Sequence, residues 1–398
     1  MEKQLIPQLR FSEFNQDWQS RPFKELTKIN QGLQIPISER YLEQVEDSYF
    51  YITNEFLKEG SKNTYFIKNP SKSVLCNEDD ILMTRTGNTG MVVTNVSGAF
   101  HNNFFRIAYP DYINKSFLYY FLTLDLTQSY IKRLAGTSTI PDLNHSDFYR
   151  IKMNYPKLEE QQKIASFISD LDLIITKLTK KKNLLEQYKK GIMQKIFNQE
   201  LRFKDDNGNN FSDWEEKKLG EIGSIVNGLT YSPNDIDENG VLVLRSSNVK
   251  KRLIALSDNV FVNVEEGKFN PVELNDILIC VRNGSKRLIG KNAIIKEEHI
   301  GLAFGAFMTV YRSNYNRFLF HFFDSQHYKK EVHKNLGATI NSINGGDLKK
   351  FKVPFPCLKE QTKIANFLSD IDLKIEVLNT KIENSKSFKK GVLQQMFV

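Results

Sequence analysis

The 398-residue sequence is poor in cysteine and has no long hydrophobic run. Its three cysteines, Cys76, Cys280 and Cys357, lie far apart without metal-ligand spacing, which favours a reducing compartment such as the cytoplasm. The longest apolar runs, such as residues 277–281, have the length of a strand, so no membrane span is predicted. The six histidines do not cluster at ligand spacing, and no metal site is predicted.

Sequence signatures of catalysis are also missing. The chain contains no Asn-Pro-Pro-Tyr or Asp-Pro-Pro-Tyr motif, and no glycine-rich turn is placed for adenosylmethionine. Residues 284–292 faintly resemble a phosphate-binding loop, but the glycine spacing is one residue too long and Asn292 stands where Ser or Thr is needed. Glu266 and Lys268 form a Glu-x-Lys pattern without a matching Asp on a preceding strand. No catalytic residue is therefore predicted.

The charge balance points to a polyanionic partner. The chain has 55 Lys and Arg against 47 Asp and Glu, a net charge of +8. A positive balance most simply suits nucleic acid, although many basic proteins bind none. The length exceeds what one compact core usually holds, so two or more domains are expected.

The organising feature of the sequence is an internal repeat. Residues 156–172 recur as residues 356–372, and the register holds without a gap to Phe197 and Phe397. Roughly half of the aligned positions are identical, and a repeat of this quality makes the chain two copies of one unit. Leu9-Arg10-Phe11 recurs as Leu201-Arg202-Phe203, and each copy is followed by one of the two tryptophans, Trp18 and Trp214, which are expected to anchor the cores.

Both copies contain a heptad pattern, which is typical of a long helix that supercoils with a partner. The predicted seam consists of Ile164, Leu171, Leu178, Leu185 and Ile192 in the first copy and Ile364, Ile371, Leu378 and Val392 in the second. Each helix begins after a proline and has Glu160 or Glu360 in its first turn, where a carboxylate suits the helix dipole. The two seams most simply pack on each other; the alternative is two amphipathic helices on separate cores.

Mixed α/β regions precede both helices. The predicted strands are residues 49–52, 73–75, 80–84, 90–94 and 104–109 in the first region, and residues 241–244, 276–281, 293–295 and 307–311 in the second. Helices are predicted over residues 117–134 and 317–333. The segment at residues 140–144 also recurs at 340–344. The predicted layout is a first domain at 1–155, a long helix at 156–198, a linker at 199–214, a second domain at 215–355 and a second long helix at 356–398.

The helix start Pro-x-Leu-x-Glu-Gln-x-Lys-Ile-Ala-x-Phe, duplicated behind two divergent domains, resembles the specificity subunit of Type I restriction–modification enzymes over essentially the whole chain. The resemblance implies an α/β (α+β) fold with a pseudo-twofold internal repeat. Two target-recognition domains would be joined by two long helices that form an antiparallel coiled coil. It also implies a non-catalytic, sequence-specific DNA-binding subunit in which each domain reads one half of a bipartite site.

The resemblance implies partners as well. Double-stranded DNA, two methyltransferase subunits and restriction–translocase subunits are expected to bind this chain. The chain itself is expected to bind no cofactor, with S-adenosylmethionine held by the partner methyltransferase subunit. The second helix is more polar late in its length than the first, and it has Ser385 at the seam position that Leu185 occupies in the first.

Loops rich in Arg, Asn and Gly are the candidates for reading DNA. Arginine can bond guanine at two points, asparagine can do so for adenine, and glycine lets the backbone approach phosphate. The candidates in the first domain are Asn30, Gln31, Arg85, Thr86, Asn88, Thr89, His101 and Asn102. Those in the second are Asn227, Thr230, Arg245, Asn248, Arg282, Asn283, Ser285, Lys286 and Arg287. The alternative for each loop is a solvated turn.

Two other functions stay open on the sequence. A stand-alone nuclease or methyltransferase with an unfamiliar site would show turnover without partners. A coiled-coil scaffold would lack a salt-dependent affinity for DNA. A further expectation concerns the termini: the first helix continues into residues 201–203, whereas the second ends at Val398. If the two units are equivalent, residues 9–11 should complete the end of the second helix and lie near Phe397.

Overall fold

The computed structural model describes residues 5–58, 60–61, 63–265, 267–336 and 341–398. Glu266 and residues 337–340, which belong to two of the sequence patterns above, lie outside the described residues. The chain forms two compact units. Unit 1 comprises Met1–Thr179 and Thr380–Val398, and unit 2 comprises Lys180–Asn379. Both long helices therefore contribute to both units, and the sequence-based domain boundaries stay predictions. None of the described helices is long and apolar enough to cross a membrane.

Unit 1 begins with strands and ends with helices. Its elements are β1 (Gln19–Pro22), α1 (Phe23–Leu26), β2 (Lys28–Gln31), β3 (Ser48–Ile52), β4 (Phe66–Lys68), β5 (Leu75–Cys76), β6 (Ile81–Thr84), β7 (Val92–Val93), β8 (Gly98–Phe100), β9 (Phe104–Ala108), α2 (Lys115–Thr123), α3 (Asp125–Ala135), α4 (His145–Phe148), β10 (Lys152–Tyr155) and the long helix α5 (Leu158–Phe197). Helix α5 continues into unit 2.

Unit 2 has a similar succession, with an added hairpin and, among the described strands, without a counterpart of β5. Its elements are β11 (Glu215–Lys218), α6 (Leu219–Ile222), β12 (Ser224–Asn227), β13 (Ile236–Leu244), β14 (Val249–Lys250), β15 (Leu253–Ile254), β16 (Phe261–Val262), β17 (Ile277–Cys280), β18 (Asn292–Ile294), β19 (Ala303–Phe304), β20 (Met308–Arg312), α7 (Asn316–Phe322), α8 (Gln326–Asn335), α9 (Gly345–Lys349), β21 (Lys352–Phe355) and the long helix α10 (Leu358–Met396). The added hairpin is the β14–β15 pair.

The sheets of the two units have equivalent topologies, except that β5 extends the second sheet of unit 1 only. A four-stranded antiparallel sheet has the order β2-β9-β6-β7 in unit 1 and β12-β20-β17-β18 in unit 2. A second sheet pairs β3 with β8, and β13 with β19, in parallel. A two-stranded sheet, β1-β10 or β11-β21, leads into the long helix. The fully buried strands β6 and β17 lie inside the four-stranded sheets, as their continuous apolar sequences predict. The internal repeat is thus a repeat of topology as well as of sequence.

The single helices predicted over residues 117–134 and 317–333 are wrong, because each is two helices. In unit 1 the break falls at Leu124, whose backbone is extended, and Gln128 donates its amide to the carbonyl of Leu122 at the end of α2. In unit 2 the hydroxyl of Ser325 accepts a hydrogen bond from the Tyr328 N–H at the start of α8. Polar side chains therefore satisfy backbone groups that a break exposes.

Within each unit, segments of the two long helices run antiparallel. In unit 1 the Lys389 ammonium lies 2.6 and 2.8 Å from the two oxygens of Asp172. In unit 2 the Lys189 ammonium lies 2.6 and 2.7 Å from those of Asp372. These are the same two repeat positions with their roles exchanged between helices. A slipped register would leave a largely buried lysine without a carboxylate, so the pair favours one register. All the predicted seam positions are buried or half-buried.

One neighbour of this ion pair differs between the units. In unit 1 the Tyr120 hydroxyl donates a 3.0 Å hydrogen bond to Asp172. In unit 2 His321 takes the equivalent place, with its Nε2 3.2 Å from the Ser369 hydroxyl and its Nδ1 3.9 Å from Asp372. Burial and the nearby lysine lower the pKa of His321 well below its usual value, so the ring is neutral.

A buried glutamate ties the first turn of each long helix to the segment before the domain. In unit 1 Arg10 donates two 2.8 Å hydrogen bonds to Glu160, and the Trp18 N–H donates a third at 3.3 Å. The repeat reproduces this cluster in unit 2 with Arg202, Trp214 and Glu360. The Glu-Gln pair of the repeated helix start therefore has a structural purpose. The glutamines Gln161 and Gln361 donate to the carbonyls of Pro156 and Pro356.

The expectation about the termini is confirmed. The Leu9 N–H donates a 3.0 Å hydrogen bond to the carbonyl of Gln395, and the ring of Phe397 lies 6.4 Å from that of Trp18. In unit 2 the Leu201 N–H donates the equivalent hydrogen bond to the carbonyl of Lys195, and these two residues belong to one continuous segment. In unit 1 the N-terminal segment thus packs at the end of α10, as the residues that directly follow α5 pack at its end in unit 2.

We expect Glu160→Ala to destabilise unit 1, because Arg10 and the Trp18 N–H would lose a buried acceptor. Breaking a buried ion pair on one side costs about 3–5 kcal/mol of unfolding free energy. Hydrogen exchange of unit 1 amides measures this loss. The neighbouring exposed Glu159→Ala is the matched control and should leave the exchange unchanged. Equal effects of the two substitutions would contradict the role assigned to Glu160.

Candidate nucleic-acid interface

In unit 1 three of the predicted DNA-reading segments lie together at one edge of the sheets. The Gln31 amide donates a 3.2 Å hydrogen bond to the carbonyl of Asn102. The Arg85 N–H donates a 2.7 Å bond to the carbonyl of Asn103, the next residue. The end of β2 with residues 30–31 and the loops with residues 85–89 and 101–102 therefore form one cluster. Sequence spacing does not reveal this proximity, because the loops are 50 or more residues apart in places.

A glycine allows the closest approach in each cluster. A Cβ atom on Gly32 would lie 2.1 Å from the carbonyl oxygen of Phe100, and one on Gly228 would lie 2.3 Å from that of Gly305. Both glycines follow the first strand of the four-stranded sheet, and both approach the residues after β8 or β19. Any side chain there would push the two loops apart, so glycine is needed at each position.

His101 is neutral in this cluster. Burial lowers its pKa to about 4, and the positive charge of Arg40 adds to the effect. Its Nδ1 accepts a 3.1 Å hydrogen bond from the Asn103 N–H, which assigns the proton to Nε2. His101 is therefore not a cation for phosphate at neutral pH; what it can offer is a single N–H donor.

Two of the unit 1 candidates are engaged within the protein. Arg85 forms a bidentate ion pair with Asp142, at 3.1 and 2.6 Å. Thr89 is buried and donates its hydroxyl to the carbonyls of Pro141 and Arg85, at 2.7 and 3.2 Å. Asn30 and Asn88 are exposed. The polar groups most open to a ligand are therefore the asparagines rather than the arginine.

In unit 2 the candidate loop at residues 227–230 packs against the end of β19. The Leu229 N–H donates to the Phe304 carbonyl at 2.7 Å, and the Ala306 N–H donates to the Leu229 carbonyl at 2.9 Å. The flanking residues Asn227 and Thr230 are exposed. This is the counterpart of the cluster around Gly32 in unit 1.

The candidates Arg245 and Asn248 belong to a short turn of unit 2. Asn248 is fully buried, accepts the Arg245 N–H at 2.9 Å, and donates to the carbonyls of Ala255 and Asp258. Arg245 is half-buried and pairs with the Asp258 carboxylate at 2.9 Å. Asn248 thus supports the turn, whereas Arg245 is partly available at the surface.

The loop after β17 contains the most exposed basic candidates. Arg282, Ser285, Lys286 and Arg287 are exposed. Asn283 is held by a 3.0 Å hydrogen bond from its amide to the Ser246 hydroxyl, which joins this loop to the turn of Arg245. The structure therefore brings the loop at residues 282–287 and the turn at residues 245–248 together.

One exposed residue of this surface was missed by the sequence reasoning. Phe307 was predicted as the start of a strand, but β20 begins at Met308 and Phe307 lies in the preceding loop. Its ring is 58% exposed, and the Arg282 guanidinium lies 5.4 Å from the ring centroid. A signal in the sequence was Gly305 two residues before it, because an isolated glycine near a strand indicates a close approach of the backbone.

Two of the three cysteines are poorly suited to nucleophilic chemistry. Cys76 and Cys280 are buried, and burial raises the pKa of each thiol to about 11. Both are protonated at neutral pH and poor nucleophiles. Among the residues that the structure describes, no group of three or more His, Cys, Asp and Glu side chains is placed to hold a metal ion.

Comparison with known proteins gives consistent matches. The family model described as Type I restriction modification DNA specificity domain matches residues 15–187 and 211–385. The specificity subunit of the Type I restriction enzyme MjaVIII from Methanocaldococcus jannaschii is 30% identical over 365 residues, which cover 88% of this chain and 85% of that protein.

Two solved structures share the fold. The S subunit of a Type-I restriction-modification system from M. genitalium has a TM-score of 0.63 at 18% identity and covers 99% of both chains. A chain from a structural study of complex assembly and conformational transition of the type I R-M system has a TM-score of 0.54 at 15% identity, covering 96% of this chain and 97% of that one.

We expect Gly228→Ala to disturb the unit 2 cluster, because its Cβ would collide with the backbone of Gly305. Overpacking of this kind costs about 1–3 kcal/mol of unfolding free energy. Chemical denaturation and amide exchange of residues 304–307 measure the loss. Gly284→Ala is the matched control, because a Cβ at Gly284 meets open space among the described residues. If both substitutions leave the amide exchange of residues 304–307 unchanged, the close approach of Gly228 to Gly305 does not contribute to stability.

Proposed function

This chain belongs to the Type I restriction–modification DNA specificity family, and we propose that each of its two units reads one half of a bipartite DNA site. It is a non-catalytic subunit for recognising DNA sequence that acts in complex with DNA and other subunits. The observation that carries the proposal is the double family match, once over each repeat, together with one exposed polar cluster in each unit.

The chemistry of the two clusters supports the reading of one half-site by each unit. Each cluster combines exposed amides or hydroxyls with a glycine at which two backbone segments meet closely. Amides, hydroxyls and guanidinium groups can bond the edges of bases, while backbone N–H groups and lysines position the phosphates. The side chains of the two clusters differ, so two different half-sites are expected. The net charge of +8 favours a polyanion in general.

A repeated pair of exposed apolar residues on the long helices supports two equivalent methyltransferase subunits as partners. In unit 1 Leu173 and Phe388 are exposed, each next in sequence to one member of the Asp172–Lys389 ion pair. In unit 2 Leu373 and Tyr188 occupy the equivalent positions beside Asp372 and Lys189 and are also exposed. Large apolar side chains that are exposed at equivalent positions favour burial against a partner. One such pair in each unit suits one methyltransferase per unit.

The remaining components of the proposal follow from the family. S-adenosylmethionine would bind to the methyltransferase subunits and supply the methyl group, while this chain selects the site. Restriction–translocase subunits would join the same complex. Because the target is cellular DNA, the complex would act in the cytoplasm of its host.

We expect substitutions in one cluster to change one half-site only. Asn88→Ala in unit 1 should relax or alter a single half, and Arg287→Ala in unit 2 should alter the other. Loss of a direct base contact reduces discrimination by about 1–3 kcal/mol at that base pair. Sequencing of methylated DNA from cells with the intact system and each variant measures the motif. A substitution that alters both halves, or a wild-type motif with no bipartite form, would contradict the proposal.

We expect these apolar pairs to determine how many methyltransferase subunits bind. The double substitution Leu173→Asp and Phe388→Asp places charges where apolar burial is proposed, so the complex should retain one methyltransferase subunit instead of two. Native mass spectrometry gives the stoichiometry. Leu42→Asp is the control, because Leu42 is 67% exposed and lies between β2 and β3, outside the long helices. Two bound subunits in the double variant would refute the role of the apolar pair in unit 1.

A further inference from the structure

Phe307 is an exposed aromatic side chain on a rigidly held loop. Its carbonyl accepts hydrogen bonds from the N–H groups of Val281 and Arg282, both at 3.1 Å. The residues on either side are also tied, since Ala306 donates to Leu229 and Met308 donates to Gly305, at 2.9 and 2.8 Å. Leaving a phenylalanine ring in water forgoes the stabilisation that burial would supply. The backbone here is fixed, so the ring stays exposed instead of folding inward.

Arg282 differs from Arg245 and Arg85, two other arginines among the candidates, which are paired with carboxylates. Arg245 pairs with Asp258 at 2.9 Å, and in unit 1 Arg85 pairs with Asp142 at 2.6 Å. Within the described part of the chain, no carboxylate lies within ion-pair distance of Arg282. Its exposed guanidinium lies beside the Phe307 ring instead. A guanidinium next to an aromatic ring is oriented by it while its N–H edge stays free to bond a ligand.

The same loop in unit 1 has a different pair of residues. The backbone bond from Arg85 to Asn103 in unit 1 corresponds to the bond from Val281 to Phe307 in unit 2. The isolated strand bridge of Thr86 with Asp142 corresponds to that of Arg282 with Ser342. Asn103 and Thr86 thus replace Phe307 and Arg282 on an equivalent backbone. The fold itself therefore does not require the arginine–phenylalanine pair, which is specific to unit 2.

We infer that Arg282 and Phe307 together read two adjacent base pairs of the unit 2 half-site. Arg282 bonds the O6 and N7 atoms of a guanine in the major groove, and Phe307 contacts the C5 methyl group of a neighbouring thymine. This inference rests on the proposed half-site function. It adds the chemical identity of two of the bases, and it assigns Phe307 as a specificity-determining residue.

Base analogues test each contact separately. With the wild-type complex of specificity and methyltransferase subunits, 7-deazaguanine in place of one guanine of the unit 2 half-site removes N7, and deoxyuridine in place of the adjacent thymine removes the methyl group. Loss of N7 removes one of the two bonds from Arg282, so it should weaken binding about 2- to 12-fold. Loss of one buried methyl contact should weaken binding about fourfold. Competition binding with each oligonucleotide measures both.

Each variant should abolish the sensitivity of DNA binding to one of the two base analogues. Arg282→Ala should bind the 7-deazaguanine and guanine sites equally, and Phe307→Asn, which copies unit 1, should bind uracil and thymine equally. Arg282→Lys should relax the guanine preference while keeping the salt dependence of binding. Lys330→Ala, at an exposed site on α8, is the control for the loss of one positive charge and should leave the motif unchanged.

Several outcomes would overturn the inference while the proposed function stands. One is a bipartite motif that both variants leave unchanged. Another is an equal loss of affinity for all DNA sequences together with a weaker dependence of affinity on salt concentration, which indicates a phosphate contact. Sensitivity to inosine in place of guanine, with none to 7-deazaguanine, would place the contact in the minor groove and overturn the major-groove assignment. The unit 1 half-site serves as the folding control, because it should be read equally well by every variant. A wild-type complex without a bipartite motif would overturn the proposed function, and this inference with it.

Discussion

A buried carboxylate at the start of each long helix is the interaction on which each unit depends. Glu160 and Glu360 each accept hydrogen bonds from an arginine and a tryptophan of the segment that precedes the globular domain. The same hydrogen bonds raise the pKa of Arg10 and of Arg202, which stay charged. Because an unpaired charge at such a site is costly, the helix start and the preceding segment are held together. The helix start is therefore fixed relative to the strands that lead into it.

The second constraint is that unit 1 contains both ends of the chain. The backbone bond from Leu9 to Gln395 takes the place of a bond that unit 2 makes within a continuous segment, from Leu201 to Lys195. A polar ion pair between the long helices then recurs in each unit, with Asp172 and Asp372 in the equivalent positions. These interactions make two structurally equivalent units from a chain whose recognition loops have diverged.

The two clusters of loops combine a shared backbone arrangement with different side chains. The glycines at 32 and 228 and the backbone bonds beside them are shared, while the side chains on the loops are not. In unit 1 the arginine is neutralised by Asp142, and in unit 2 an exposed arginine lies beside an exposed phenylalanine. A specificity subunit gains from this separation, because loop side chains can change without loss of the packing that holds the two frames.

The sequence by itself determined the repeat, the two long helices, the equivalence of the termini and the family. These features come from periodicity and from pairs of residues at a constant offset, which a linear pattern records. Strands such as β6 and β17 were also predictable, because continuous apolar runs mark buried strands. Only the tertiary structure decided that Asn248 is buried, that Arg85 is paired with Asp142 and that Phe307 is exposed beside Arg282. Burial and pairing depend on which loops meet in space, and such contacts leave no periodic trace in the chain.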